Sequence, residues 1–94
     1  VDEFPIDQTG DGHGGMVETS RVMHICPDLA RKAPCRGDYV DCGYLIVSDP
    51  ERCMPMGYVG NAQDATSELG KEINEFVVNR LVEEIKKSFG GLYE

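Results

Sequence analysis

The last third of the chain has the most regular pattern of hydrophobic and polar positions. Apolar side chains recur there at steps of three and four residues, which places them on one face of a helix. Asp64 precedes the pattern as a candidate cap, and Gly90 and Gly91 interrupt it. The sequence therefore predicts a long amphipathic helix over residues 65–89 that serves packing. Its apolar positions are Leu69, Ile73, Phe76, Val77, Leu81, Ile85 and Phe89.

The first 20 residues combine a loop with the start of a helix. Residues 1–15 are rich in glycine and acidic side chains, which is typical of an irregular, tightly turning segment. A helical spacing of apolar residues follows from Met16 to about Ile25. Pro27 disfavours helical geometry at the residue before it, so we expect the helix to end there.

The middle of the chain predicts one strand and one long loop. The β-favouring run Tyr44-Leu45-Ile46-Val47 indicates a strand within residues 40–47, and Asp49-Pro50 ends it. Residues 48–64 then form a loop of the length that carries a site or covers a neighbour.

These elements predict an α/β fold that is incomplete as an independent domain. A single strand between two helices leaves its hydrogen-bonding groups without a neighbour. The missing strands must come from the loops or from a further segment of the same polypeptide. All 94 residues are assigned to one domain.

Composition excludes two kinds of partner. The formal net charge of −8 and the sequence pI of about 4.6 repel phosphate backbones, so we expect no nucleic-acid binding. No apolar run approaches the roughly 20 residues of a membrane span, and the first residues lack signal-peptide features. We therefore expect a cytoplasmic protein without membrane contact.

The four cysteines match neither a zinc site nor a redox pair. Eight, six and ten residues separate Cys26, Cys35, Cys42 and Cys53. Without a secretory signal we expect free thiols, although an even number also permits two disulfides. Cys26 shares the apolar face of the first helix, where we expect it to be buried.

One histidine has neighbours suited to catalysis. His13 lies between glycines, so a substrate can approach its ring closely, and imidazole groups exchange protons near neutral pH. Glu18 could accept a hydrogen bond from that ring, and backbone N–H groups at the helix start could bind an oxyanion. The alternative is a glycine-rich turn with an exposed histidine that has no chemical role.

The sequence GHGGMVETS at residues 12–20 resembles the H-[AG]-G-x-x-E-T-S signature of the creatininase (creatinine amidohydrolase) family. The family's later elements follow in the same order. A P-[DE]-L segment is matched at Pro27-Asp28-Leu29, a glycine-containing loop at 57–60, and an A-T-x-x-x-G helix start at 65–70. The resemblance covers most of the chain and corresponds to the C-terminal half of the family.

The resemblance implies part of a three-layer α/β/α sandwich in a metal-dependent amidohydrolase, usually a homo-oligomer. By correspondence, His13 would be the acid/base near the scissile bond, Glu18 its partner, and Asp11 a loosely matching acid. The divalent ion (Zn, Mn or Fe) would be bound by an N-terminal portion of the enzyme, so no metal ligand is assigned here. The partners implied are that portion and a small-molecule substrate.

The substrate stays open among a cyclic amide, a formamide and related bonds. Family members that act on creatinine enclose its ring with tryptophan, and this chain contains none, so creatinine itself is not expected. A different kind of function is also possible: a noncatalytic subunit or fragment, in which the long helix serves assembly and the glycine loop is only structural.

Overall fold

The computed structural model describes residues 3–43 and 48–90 of the chain. Two α-helices dominate it: α1 spans Met16–Ile25 and α2 spans Ser67–Phe89. Three single-turn 3₁₀ helices lie between them, at Pro27–Leu29, Pro50–Arg52 and Ala62–Asp64. Both predicted helices are confirmed.

Helix α1 ends as the position of Pro27 predicts. The backbone of Cys26 leaves helical geometry at φ −143° and ψ 78°, and Pro27 then begins a 3₁₀ turn. Cys26 is exposed, so the prediction that it is buried is wrong. Because the residue lies just beyond the last helical turn, its side chain does not follow the face that packs on α2.

Helix α2 is capped by Thr66 and not by Asp64, which corrects the sequence prediction. The Thr66 hydroxyl oxygen accepts a hydrogen bond from the Leu69 N–H at 3.0 Å. Asp64 closes the preceding 3₁₀ turn, so its side chain is too early in the chain to reach the helix start. At the other end, Gly90 takes a positive φ of 55°, which ends the helix as expected.

The two helices pack through a small contact around Ser20. Ser20 is fully buried in α1, and its hydroxyl oxygen accepts the N–H of Thr66 at 3.1 Å. A Cβ at Gly70 would overlap the Ser20 carbonyl, so only glycine permits the helices to approach this closely. Ile73 is fully buried one turn further along α2. Close packing of the two helices thus explains why the A-T-x-x-x-G segment has glycine at this position.

A polar pair extends this contact along the helices. The Arg21 guanidinium Nε donates to the side-chain oxygen of Asn74 at 2.7 Å, and the Asn74 amide nitrogen lies 3.4 Å from the Arg21 carbonyl. Phe4 packs edge-on against Phe76 with ring centroids 5.5 Å apart. Among the described residues, the buried hydrophobic side chains are those of Ala62 and Ile73. This part of the chain therefore buries little apolar surface.

The predicted strand is not confirmed. Its central residues 44–47 lie outside the described part of the chain, and residues 40–43 are not extended in a ladder. Within residues 3–43 and 48–90, β pairing is limited to an isolated antiparallel bridge between Gly37 and Gly60. This part of the chain is mostly helical, and its described residues do not form a sheet of the expected sandwich.

The cysteine prediction is wrong for two of the four residues. Cys42 and Cys53 form a disulfide, with Cα atoms 6.1 Å apart. The chain returns on itself here, because the Val40 N–H donates to the Cys53 carbonyl at 2.9 Å. That approach brings together two thiols whose separation along the sequence gave no sign of pairing. Cys26 and Cys35 are free, as expected.

Candidate active site

The N-terminus of α1 is capped by a side chain from four residues before the cap position. One carboxylate oxygen of Asp11 accepts the Met16 N–H at 2.7 Å, and the other accepts the Val17 N–H at 3.3 Å. Asp11 therefore accepts hydrogen bonds from two of the N–H groups that have no partner within the helix at its N-terminus. The family resemblance makes Asp11 a loosely matching acid of the site, and in the structure its carboxylate holds the glycine loop onto the helix start.

Glu18 also binds the loop backbone. Its carboxylate oxygen Oε2 accepts a hydrogen bond from the Gly14 N–H. The hydroxyl of Thr19 donates to the Gly14 carbonyl at 3.1 Å. Both side chains thus clamp the peptide units of the residue that follows His13, and they do so from the first turn of α1.

The His13 side chain is exposed at the outer edge of this loop. Among the described residues, none forms a hydrogen bond or ion pair with its imidazole ring, so the expected bond from the ring to Glu18 is not formed. The physical reason is that Glu18 engages the neighbouring backbone N–H instead. The arrangement leaves both ring nitrogens available to a bound molecule.

The backbone around His13 is fixed from a second side by the loop before α2. The Val59 N–H donates to the His13 carbonyl at 2.8 Å, and the Gly12 N–H donates to the Val59 carbonyl at 3.2 Å. A Cβ at Gly15 would overlap both the Asp11 carboxylate and the Val59 carbonyl. The glycine of the G-x-x-E-T-S segment is therefore required, because the Asp11 side chain and the Val59 backbone both lie directly against it.

Residues 35–37 support the loop that contains Val59, and the sequence pattern did not predict this contact. Gly37 and Gly60 exchange backbone hydrogen bonds of 2.9 and 2.8 Å, and the Tyr58 hydroxyl donates to the Cys35 carbonyl at 2.6 Å. Partial desolvation is the main cause that raises the pKa of Tyr58, and the nearby Cys35 thiol is the second. The phenol therefore stays protonated and can donate. The loop 48–64 was expected to carry a site or an interface, but nothing in the sequence indicated the pairing with residues 35–37.

The described residues do not fit a metal site by themselves. Within residues 3–43 and 48–90 no group of three or more His, Cys, Asp or Glu side chains is placed to hold an ion. Both oxygens of the Asp11 carboxylate and one oxygen of the Glu18 carboxylate already accept hydrogen bonds from backbone N–H groups. The chemistry that these residues can supply is proton exchange at His13 and placement of a ligand beside it.

No helix in the described part of the chain combines the length and hydrophobicity that a bilayer crossing requires.

A glycine loop clamped to a helix start, with one exposed imidazole, agrees with the class of protein that the sequence signature indicated. The model of the creatininase family, described as creatinine amidohydrolase, matches residues 1–85. The chain therefore belongs to the creatininase family. Membership of this family indicates a metal-dependent amidohydrolase. No curated protein and no solved structure matches the chain.

Proposed function

We propose that this chain is the substrate-side, C-terminal part of a creatininase-type amidohydrolase, in which His13 is the acid/base. The observation that carries the proposal is the exposed His13 ring on a loop whose backbone is fixed on both sides. A general acid must have a free ring nitrogen and a defined position. The loop has the second property through Val59 and Glu18, and the ring has the first.

In this proposal the His13 imidazolium donates its proton to the nitrogen of the scissile C–N bond as that bond breaks. The neutral ring then regains a proton from solvent, which completes the cycle. Glu18 is a positioning residue, because it fixes the Gly14 N–H and thereby the peptide unit between His13 and Gly14. Asp11 has the same kind of role through the N-terminus of α1.

The remaining parts of the enzyme are proposed to come from an N-terminal portion of the same protein. That portion would bind the divalent ion, Zn, Mn or Fe, whose chemistry is the activation of a water molecule. It would also supply the sheet of the α/β/α sandwich, and the complete enzyme would be a homo-oligomer. Apolar residues exposed on α2, such as Val78 and Leu81, support this proposal because they provide surface for a further layer.

The proposed substrate is a small cyclic amide, a formamide or a related compound. Creatinine is not proposed, because the sequence contains no tryptophan that could enclose its planar ring.

A cytoplasmic location was expected from the sequence. The Cys42–Cys53 disulfide argues against that expectation, since disulfides are rare in reducing compartments.

The test is replacement of His13 in the complete enzyme. We expect His13→Ala to lower kcat by a factor of about 100 or more, the usual contribution of a positioned acid/base, without loss of bound metal. Added imidazole should restore part of the activity, because it can replace the missing ring but not a lost fold. Turnover with the amide substrate and metal content by elemental analysis are the measurements.

The chain offers a matched control for this test. His24 is also exposed and lies on α1, away from the glycine loop in sequence. We expect His24→Ala to retain wild-type turnover. Normal turnover of the His13→Ala variant would contradict the proposed role.

A noncatalytic assembly role is the second candidate, and it is favoured by one observation. The second half of α2 exposes several large apolar residues, including Val82 and Ile85, which is typical of a helix that binds another protein surface. Sizing of the chain with and without its N-terminal portion separates the two functions. Activity that requires both parts favours the enzyme, whereas a complex without turnover favours assembly.

A further inference from the structure

A pocket of about 280 Å³ opens beside the candidate site. Gly14, the neighbour of His13, lines it together with Glu18, so the pocket begins at the clamped part of the loop. Its apolar wall is formed by Val22 and Leu29, both of which are exposed to solvent. The pocket therefore offers apolar contact within reach of the loop that carries the imidazole.

The pocket also contains a cation that has no ion-pair partner among the residues that the structure describes. Arg31 lines it, and among the described residues no carboxylate forms an ion pair with its guanidinium. Some other described cations are in ion pairs, such as Arg36, which lies 3.6 Å from Asp38. Others, such as Arg52, are in no ion pair among the described residues, but they do not line this pocket. In a chain with a net charge of −8, an unpaired arginine in a pocket is available to an added anion.

Glu18 provides the complementary group. Its oxygen Oε2 is held by the Gly14 N–H, and within residues 3–43 and 48–90 the second oxygen, Oε1, accepts no hydrogen bond. A free carboxylate oxygen can accept an N–H from a ligand. The same carboxylate repels an anion, so an anionic group is favoured only on the Arg31 side of the pocket.

We propose that this pocket binds the substrate from its amide group to its far end, and that Arg31 selects a substrate with an oxyanion. The compound would carry an amide N–H at the Glu18 end, a short apolar body against Val22 and Leu29, and a carboxylate or phosphate at Arg31. This inference rests on the proposed function, because it gives the amide substrate of that function a chemical class. It makes Arg31 a specificity-determining residue.

The experiment measures binding and not turnover. Adipamate carries an amide and a carboxylate at the two ends of an apolar chain, and adipamide is the same molecule with the carboxylate replaced by a second amide. In titrations of the complete enzyme by calorimetry, we expect adipamate to bind at least about tenfold more tightly than adipamide, as a charge-assisted pair of hydrogen bonds predicts. The difference should shrink at high ionic strength because Arg31 is exposed.

Three variants test the residue. Arg31→Gln should remove the preference for adipamate, and Arg31→Lys should retain a large part of it. Arg52→Gln is the matched control, because Arg52 is also exposed but lies in the 3₁₀ helix Pro50–Arg52 and does not line the pocket. Equal binding of the two compounds by the wild-type enzyme, or equal effects of Arg31→Gln and Arg52→Gln, would overturn the proposal.

A third ligand separates the two oxyanions. Binding of a phosphate analogue of adipamate, 5-amino-5-oxopentyl phosphate, should also depend on Arg31, and the anion that binds more tightly identifies the natural group.

Failure of this inference is distinguishable from failure of the proposed function. If His13→Ala abolishes turnover but Arg31→Gln leaves binding unchanged, the subsite is wrong and the acid/base role stands. If Arg31 controls binding but the His13→Ala variant turns over normally, the acid/base role is wrong and the binding site at Arg31 stands.

Discussion

The two halves of helix α2 have the same hydrophobic spacing but different surroundings. In the first half, Ile73 is fully buried and Gly70 touches the backbone of α1. In the second half, Leu81 and Ile85 are 56% and 43% exposed, although they repeat the spacing. Periodicity therefore identifies the side of a helix that needs a partner, but it does not show which half has found one within this chain.

Among the substitutions that test this comparison, we expect the largest loss of stability at Ile73. Ile73→Ala removes a fully buried side chain and leaves a cavity, which should lower the free energy of unfolding by about 3 kcal/mol. Ile85→Ala is the matched control in the other half, and its cost should stay below about 1 kcal/mol because the residue is partly exposed and alanine favours helices. Urea unfolding followed by circular dichroism measures both.

Equal losses for the two isoleucine variants would mean that the halves do not differ in packing. A loss at Ile85 larger than that at Ile73 would show that the second half is covered in solution by another surface.

The second prediction concerns the close approach of the helices. Gly70→Ala places a methyl group against the Ser20 carbonyl, which should destabilise the fold by about 2 kcal/mol in spite of the roughly 1 kcal/mol that alanine gains over glycine in a helix. Ser88→Ala, at an exposed position of the second half, should be neutral or slightly stabilising. The melting temperatures of the two variants, compared with that of the wild-type chain, are the measurement. A Gly70→Ala variant as stable as the wild type would refute the close contact.

Much of this packing could be foreseen from the sequence, but its details could not. The spacing of Leu69, Ile73 and Phe76 and the position of Pro27 were sufficient to place both helices. The pairing of Cys42 with Cys53 depends on how a long loop returns, and no local pattern records that. The strand expected within 40–47 is centred on residues 44–47, which lie outside the described part of the chain, and local β propensity does not determine whether a pairing partner exists.

The candidate site shows the same division. The sequence brought His13, Glu18 and Asp11 together because they belong to one loop and the first turn of one helix. It did not predict that both carboxylates bind backbone N–H groups, since competition between a side chain and the backbone for one acceptor is decided by loop geometry. Arg31 was missed because only the 3₁₀ turn after α1 brings it to the pocket.

The third prediction tests the start of α2. Thr66→Ala removes the oxygen that accepts the Leu69 N–H and should cost about 1 kcal/mol, or roughly 4–8 °C in melting temperature for a chain of this size. Thr66→Ser keeps the hydroxyl and should lose much less. Asp64→Ala should be close to neutral, because Asp64 does not cap the helix. A larger loss for Asp64→Ala than for Thr66→Ala would restore Asp64 as the cap.

The smallest effect is expected in the second half of the helix. Leu81→Gln should change the free energy of unfolding of the 94-residue chain by no more than about 0.5 kcal/mol, since more than half of this side chain is already in water. In the complete enzyme the same substitution should weaken assembly, because Val78, Leu81 and Ile85 share one face that would be covered there. Chemical unfolding of the chain and sizing of the complete enzyme are the two measurements. A substitution that destabilises the isolated chain as much as Ile73→Ala would show that the second half is already packed, and one that leaves both unchanged would show that the exposed face has no partner.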